Sequence, residues 1–195
     1  MARPERERQM VRVAEQVFAE RGYQAASMDE IAERVGVSKP MLYAYFGSKE
    51  GLLLACMRRA RNGLREVTLA AIAEGGSPRE LLRRGLEAHF RFIDAHKPAW
   101  AVLRAETALV GEAAAEVEQV RSQQAELIAT STAALVPDID PLLVEAYAHM
   151  LVGATERVSL WREQHPEITP EAAAALILAV IWNGVSSLAP GPPTP

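Results

Sequence analysis

Between Lys39 and Lys49 the chain reads KPMLYAYFGSK, so two lysines, two tyrosines, a proline and a methionine fall within eleven residues. A helix buried in a core has no use for that mixture. Lys39 is a long cation suited to a base edge, and Pro40 and Met41 offer the apolar contact that a thymine methyl accepts. The hydroxyls of Tyr43 and Tyr45 can donate to phosphate oxygens. Lys49 precedes a further helical pattern, whose first amides favour an anion. Ser27 and Ser38 stand where helices begin, as caps or as phosphate donors. Taken singly, each has a plainer role: a cap, a packed aromatic, a solvated lysine. It is the constellation that points to a nucleic acid.

The surrounding pattern predicts how these residues are held. Met10, Val13, Ala14, Val17 and Phe18 form the apolar stripe of a first helix over 5–20, ended by Arg21-Gly22. Ser27-Met28-Asp29-Glu30 is a capping box, in which the serine caps and the glutamate reaches back. It opens a second helix that runs to Val35. Gly36-Val37 is a tight turn, and Ser38 starts a third helix that tolerates Pro40 in its first turn and pairs Leu42 with Phe46. Two short helices joined by a glycine turn make a helix-turn-helix, whose second helix enters the major groove. Ser48 starts a long fourth helix to Glu74, and Gly75-Gly76 is the clearest boundary in the chain. Further helices are expected over 78–95, 98–109, 112–134, 141–164 and 170–188, and a disordered tail over 190–195.

The chain has 195 residues, 49% of them hydrophobic, and a net charge of −4. Residues 1–75 hold 12 Lys+Arg against 10 Asp+Glu, and the remainder 9 against 15. No apolar run reaches the roughly 18 residues of a membrane span, and the charged N-terminus does not read as a secretory signal. One cysteine, Cys56, cannot make an intrachain disulfide, which suits the reducing cytoplasm. No metal-ligand spacing, phosphate loop or nucleophile elbow is found, so neither a metal nor a cofactor is expected and an enzyme is disfavoured.

The stretch MDEIAERVGVSKPMLYAYFGSKEGLL, preceded by VAEQVFAERGYQAAS, resembles the DNA-binding domain of the TetR family of bacterial transcriptional regulators. The match covers residues 10–56. The resemblance implies an all-α protein of about nine helices: a three-helix DNA-binding domain over 1–47, then a larger effector-binding and dimerisation domain over 48–189. The helix over 48–74 connects the two. It also implies a cytoplasmic homodimer, most simply a repressor that binds a palindromic operator and is released by a small molecule. The family's base-reading positions fall on Lys39, Pro40, Met41 and Tyr43, and its phosphate positions on Ser27, Ser38, Tyr43, Tyr45 and Lys49. Ala44 departs from the larger or polar residue of many relatives, so the operator is this chain's own. Arg3, Arg6 and Arg8 are candidates for an N-terminal arm, or are a frayed charged end.

For the second domain, the helices over 141–164 and 170–188 are the expected dimer elements. One carries the stripe Leu143, Ala146, Tyr147, Met150, Ala154, Val158 and Trp161, and the other Ala173, Leu176, Ile177, Val180 and Ile181. Two such helices from each subunit make a four-helix interface. Candidate effector contacts are His89, Phe90, Trp100, Leu103, Glu106, Tyr147, Met150, Glu156 and Trp161, a mixture of aromatic walls and polar groups. A rival reading is a helical interaction module that has lost DNA binding, in which Tyr43 and Lys49 are dispensable.

Overall fold

The computed structural model describes residues 3–104, 112–135 and 139–188, and among these it contains nine helices and no strand. They are α1 (Arg3–Ala25), α2 (Met28–Val35), α3 (Lys39–Phe46), α4 (Lys49–Ile72), α5 (Pro78–Ala95), α6 (Lys97–Arg104), α7 (Glu112–Leu135), α8 (Pro141–Arg162) and α9 (Pro170–Leu188). The remainder of the helix expected over 98–109, and the tail over 190–195, lie outside the described residues. No described helix is long and apolar enough to cross a membrane.

The chain divides into two compact units, and the division does not follow chain order. Met1–Glu66 joins Ala95–Glu116 in the first, and Val67–Asp94 joins Val117–Pro195 in the second. α6 therefore belongs with α1, against which it packs. The first unit is centred on Met10, Val17, Ile31, Leu42, Leu52, Leu53, Cys56 and Val102, all fully or almost fully buried. Cys56 behaves as a small hydrophobe here. Its thiol donates weakly to the Val11 carbonyl at 3.6 Å, and burial pushes its ionisation well upward.

Helix ends follow local chemistry closely. Gly22, at φ 74° and ψ 159°, breaks α1 where a stop was expected, and Tyr23–Ala25 adds one further turn. Ser27 Oγ accepts from Glu30 N at 3.1 Å, so half of the capping box is made. The Glu30 carboxylate is drawn away from Ser27 instead, because Arg34 offers a charged donor at 2.6 Å and Arg21 another at 3.4 Å. Gly36 ends α2 in the left-handed conformation. Its N–H and that of Val37 both return to Ala32 O at 3.0 Å, which makes a tight, amide-satisfied turn.

In the second unit the inward faces of α5 and α9 meet. Leu86, Phe90, Ala173, Ala174, Ile177 and Leu178 form one buried cluster, edged by Leu151, Ala154 and Val158 of α8. A smaller cluster joins Ala125 of α7 to Ala148 and Val152 of α8. This revises the α9 stripe expected for dimerisation. Ala173 and Ile177 are core residues, while Leu176 and Val180 of the same stripe point to solvent at 52% and 74% exposure. A run as uniformly apolar as AAAALILAVIW gives no periodic hint of which face is inside.

Candidate nucleic-acid interface

α3 is eight residues long and buries one side chain, Leu42. That is what a helix held by a single apolar anchor and otherwise presented outward should look like. Met41 and Tyr43 flank the anchor, and each is 41% exposed. Leaving two large side chains in water disfavours the free protein, and covering them on a partner recovers that energy. Lys39, Pro40 and Ala44 are exposed on the same helix, whereas Tyr45 is half-buried. Tyr45 lies 6.0 Å from the Phe46 ring, with the Arg3 guanidinium 5.4 Å from its own centroid. Arg3, Arg6 and Arg8 stand in the first turns of α1 and do not form an extended arm.

Ser27 and Ser38 separate in role. Ser27 is committed to its capping bond. Ser38 occupies the N-cap position of α3 by backbone, its carbonyl accepting from Met41 N at 3.0 Å, yet its hydroxyl makes no capping bond. Pro40 explains this, since it removes one of the amides that an N-cap hydroxyl normally satisfies. An uncommitted, exposed hydroxyl is thereby left at the start of α3.

The two lysines are both engaged. Lys39 Nζ is 2.9 Å from Asp29 Oδ2 of α2, and that hydrogen bond raises its pKa. Lys49 Nζ donates to the Gln24 carbonyl at 3.1 Å and stands 4.7 Å from the Tyr23 ring centroid. Partial burial there lowers its pKa. Lys49 thus ties the start of α4 to the last turn of α1. Spacing alone gave no sign of this scaffold role, because Gln24 and Tyr23 are distant in sequence.

The start of α4 is also set by close backbone contact. Ser48 Oγ accepts from Gly51 N at 2.9 Å. Gly51 itself lies so near the Phe46 carbonyl that a Cβ at this position would overlap the oxygen. The last turn of α3 and the first of α4 share this space, and glycine is what lets them do so.

Residues 11–56 match the family described as "Bacterial regulatory proteins, tetR family", and residues 78–184 match "Tetracyclin repressor-like, C-terminal domain". The chain belongs to the TetR family. It is a transcriptional regulator with a helix-turn-helix DNA-binding domain, and the family is one of regulators rather than enzymes. The transcriptional activator FasR of Mycolicibacterium smegmatis is 45% identical over 94 residues, which are 48% of this chain and 43% of FasR. The match therefore spans under half of that relative. A TetR-like regulator from Rhodococcus sp. RHA1 is 38% identical, with 95% of this chain and 98% of that one covered and a TM-score of 0.74. AibR, crystallised with isovaleryl coenzyme A and operator DNA, shares the fold at 24% identity, with 90% and 97% coverage and a TM-score of 0.68.

The expected effector residues of this TetR-family chain are scattered. His89 and Phe90 of α5 are buried in the second unit, their rings 5.1 Å apart and edge to face. Ser159 Oγ donates to Thr155 O at 2.7 Å and lies 3.4 Å from His89 Nε2. Burial lowers the His89 pKa to about 4, so the ring is neutral at physiological pH. Ser159 and Thr155 were not among the expected residues, and their only signal was the i, i+4 spacing on α8 opposite Trp161. Glu156 pairs with Arg121 of α7 at 3.1 Å. Tyr147 is half-buried, whereas Met150 and Trp161 face solvent at 51% and 40% exposure. The Trp161 ring lies 4.6 Å from His165. Trp100 is on α6 in the first unit. Glu106, and the side chain of Leu103, lie outside the described residues.

Proposed function

We propose that the protein is a cytoplasmic repressor of the TetR type that binds a palindromic operator as a homodimer and is released by a small-molecule effector. The observation that carries the DNA contacts is the outward face of α3: Met41 and Tyr43 exposed beside Lys39, Pro40 and the uncommitted Ser38 hydroxyl. Ser27, Tyr45 and Lys49 are assigned to the phosphate flank and also hold the local scaffold. Two such helices about one helical turn, roughly 34–36 Å, apart fit a palindromic site.

Selection from a random duplex library tests this reading. The wild type should enrich a palindrome, and Lys39→Ala/Tyr43→Ala should lose about 100-fold or more in affinity for it, since each base-edge contact contributes about 1–3 kcal/mol. Both side chains are exposed, so the variant should fold as the wild type does. Unchanged affinity in that variant would overturn Lys39 and Tyr43 as DNA contacts, and a wild type that enriches no duplex would move the interaction-module reading ahead.

For the dimer, support comes from Leu142, Leu143, Met150 and Trp161 of α8 and Leu176 and Val180 of α9, large apolar side chains left in solvent on two neighbouring helices. Patches of this kind mark interfaces. Val180→Glu should shift the protein from dimer to monomer in sedimentation velocity at micromolar concentration, because a two-fold interface brings like charges together. A wild type that sediments as a monomer would sink the dimer assignment.

An effector acting on the second unit is supported by AibR, whose fold is the same and which was crystallised with an acyl coenzyme A as well as DNA. The sign of regulation has a second reading, because FasR, similar over 94 residues, is an activator. A reporter driven by the selected operator upstream of its promoter, with and without the protein, separates the two.

A further inference from the structure

The helix-turn-helix of this chain is electrostatically unusual for a surface that meets phosphate. From Ser27 to Gly51 it holds three cations, Arg34, Lys39 and Lys49, against four carboxylates, Asp29, Glu30, Glu33 and Glu50. Two of the cations are held by the scaffold. Arg34 is shared between Glu20 at 2.7 Å and Glu30 at 2.6 Å, and Lys49 is bound to the Gln24 carbonyl and covers the Tyr23 ring. Lys39 differs, because its partner is a single carboxylate, Asp29, and the pair is open to water with side chains 45% and 70% exposed.

We propose that Asp29 is a positioning residue that sets operator affinity by competing with DNA for Lys39. The inference rests on the assignment of Lys39 as a DNA contact. In the free protein the ammonium is bonded to Asp29, and on the duplex it must leave that carboxylate for a base edge or a phosphate. Binding then yields only the difference between the two interactions. An exposed pair of this kind is weak, so the exchange lowers affinity without blocking it. It lowers affinity alike at every duplex on which Lys39 is used, and therefore tunes strength and not discrimination. Its place fits this role: Asp29 is in the first turn of α2, Lys39 in the first turn of α3, and the glycine turn between them fixes the two starts relative to each other.

The test measures affinity for the palindrome that the wild type enriches, in four proteins: wild type, Asp29→Asn, Lys39→Ala and the double variant. Asp29→Asn is expected to tighten binding about two- to fivefold, matching the strength of an exposed ion pair. In the Lys39→Ala background the same change should give no gain. Comparing the two backgrounds cancels any effect of Asp29 on α2 stability, since it enters both equally. An equal gain in both backgrounds would reveal simple removal of a negative charge near DNA and overturn the proposal. No gain, or weaker binding, on Asp29→Asn in the protein that keeps Lys39 overturns it as well. If the wild type enriches no duplex, the DNA-binding assignment itself falls and this proposal with it, a result plainly distinct from the other two.

Discussion

Gly51→Ala is expected to lower the stability of the first unit by about 2 kcal/mol, even though alanine is the better helix former. In an exposed helix interior the exchange would contribute about 1 kcal/mol of stability. Here the added methyl overlaps the Phe46 carbonyl oxygen, a backbone atom that cannot rotate away. Relief requires moving the α3–α4 turn, which is overpacking at the upper end of its usual cost, about 3 kcal/mol. The difference corresponds to a fall in Tm of about 4–8 °C for a chain of this size. Gly153 of α8 is the matched control: nothing lies within 4 Å of a Cβ there, so Gly153→Ala should raise Tm. Thermal unfolding of both variants checks the argument, and a Gly51→Ala protein as stable as the wild type would refute it. Because Phe46 ends α3, the helix proposed to read the operator, the same variant should also bind the operator less tightly.

Arg59→Met is the second large effect, and its signature is a pH dependence. Glu15 of α1 is 5% exposed, with Arg59 of α4 as its ionic partner and one carboxylate oxygen without a hydrogen bond. Burial raises its pKa above the usual 4.5, against the lowering by Arg59, His96 and Arg12. A carboxyl whose folded pKa is raised adds stability while protonated and loses it as pH rises through the folded value. Removing Arg59 takes away the largest opposing influence, so the folded pKa climbs further and more stability is lost by neutral pH. Breaking a fully buried pair costs about 3–5 kcal/mol; Arg59 is 44% exposed, so a loss of about 1–3 kcal/mol is expected at pH 8. Near pH 4.5 most of that deficit should vanish, because the neutral acid needs no partner. Glu15→Gln, which abolishes the buried charge, should be at least as stable as the wild type at pH 8. Urea unfolding at the two pH values distinguishes this from lost packing, since a deficit independent of pH would mean that the arginine acts through its aliphatic stem alone.

Much of the first unit was legible in the chain because its signals are local. The stop at Gly22, the cap at Ser27, the left-handed turn at Gly36 and the cap at Ser48 each depend on a few neighbouring residues and on backbone groups within one turn. An apolar stripe at helical spacing then fixes which side of α1 is buried. The exposed Met41 and Tyr43 were foreseeable in the same way, since a short helix with one deep anchor has little else to bury.

What only the tertiary structure decided involves partners distant in sequence. Lys49 reads as a free cation until the turn at Tyr23 and Gln24 is folded beneath it, and Lys39 reads likewise until α2 brings Asp29 within 2.9 Å. The part-buried Glu15–Arg59 pair spans 44 residues, and His89 meets Ser159 across 70. In α9, alanine and leucine occupy nearly every position, so hydrophobicity carried no direction, and the inward placement of Ala173 and Ile177 against outward Leu176 and Val180 came from packing on α5 and α8. The sequence by itself determined the described helices, most of their ends to within a few residues, and the helix-turn-helix. Which charges are spent inside the protein, and which apolar face is left exposed, depends on long-range neighbours, because ion pairing and burial are properties of three-dimensional proximity and not of spacing along the chain.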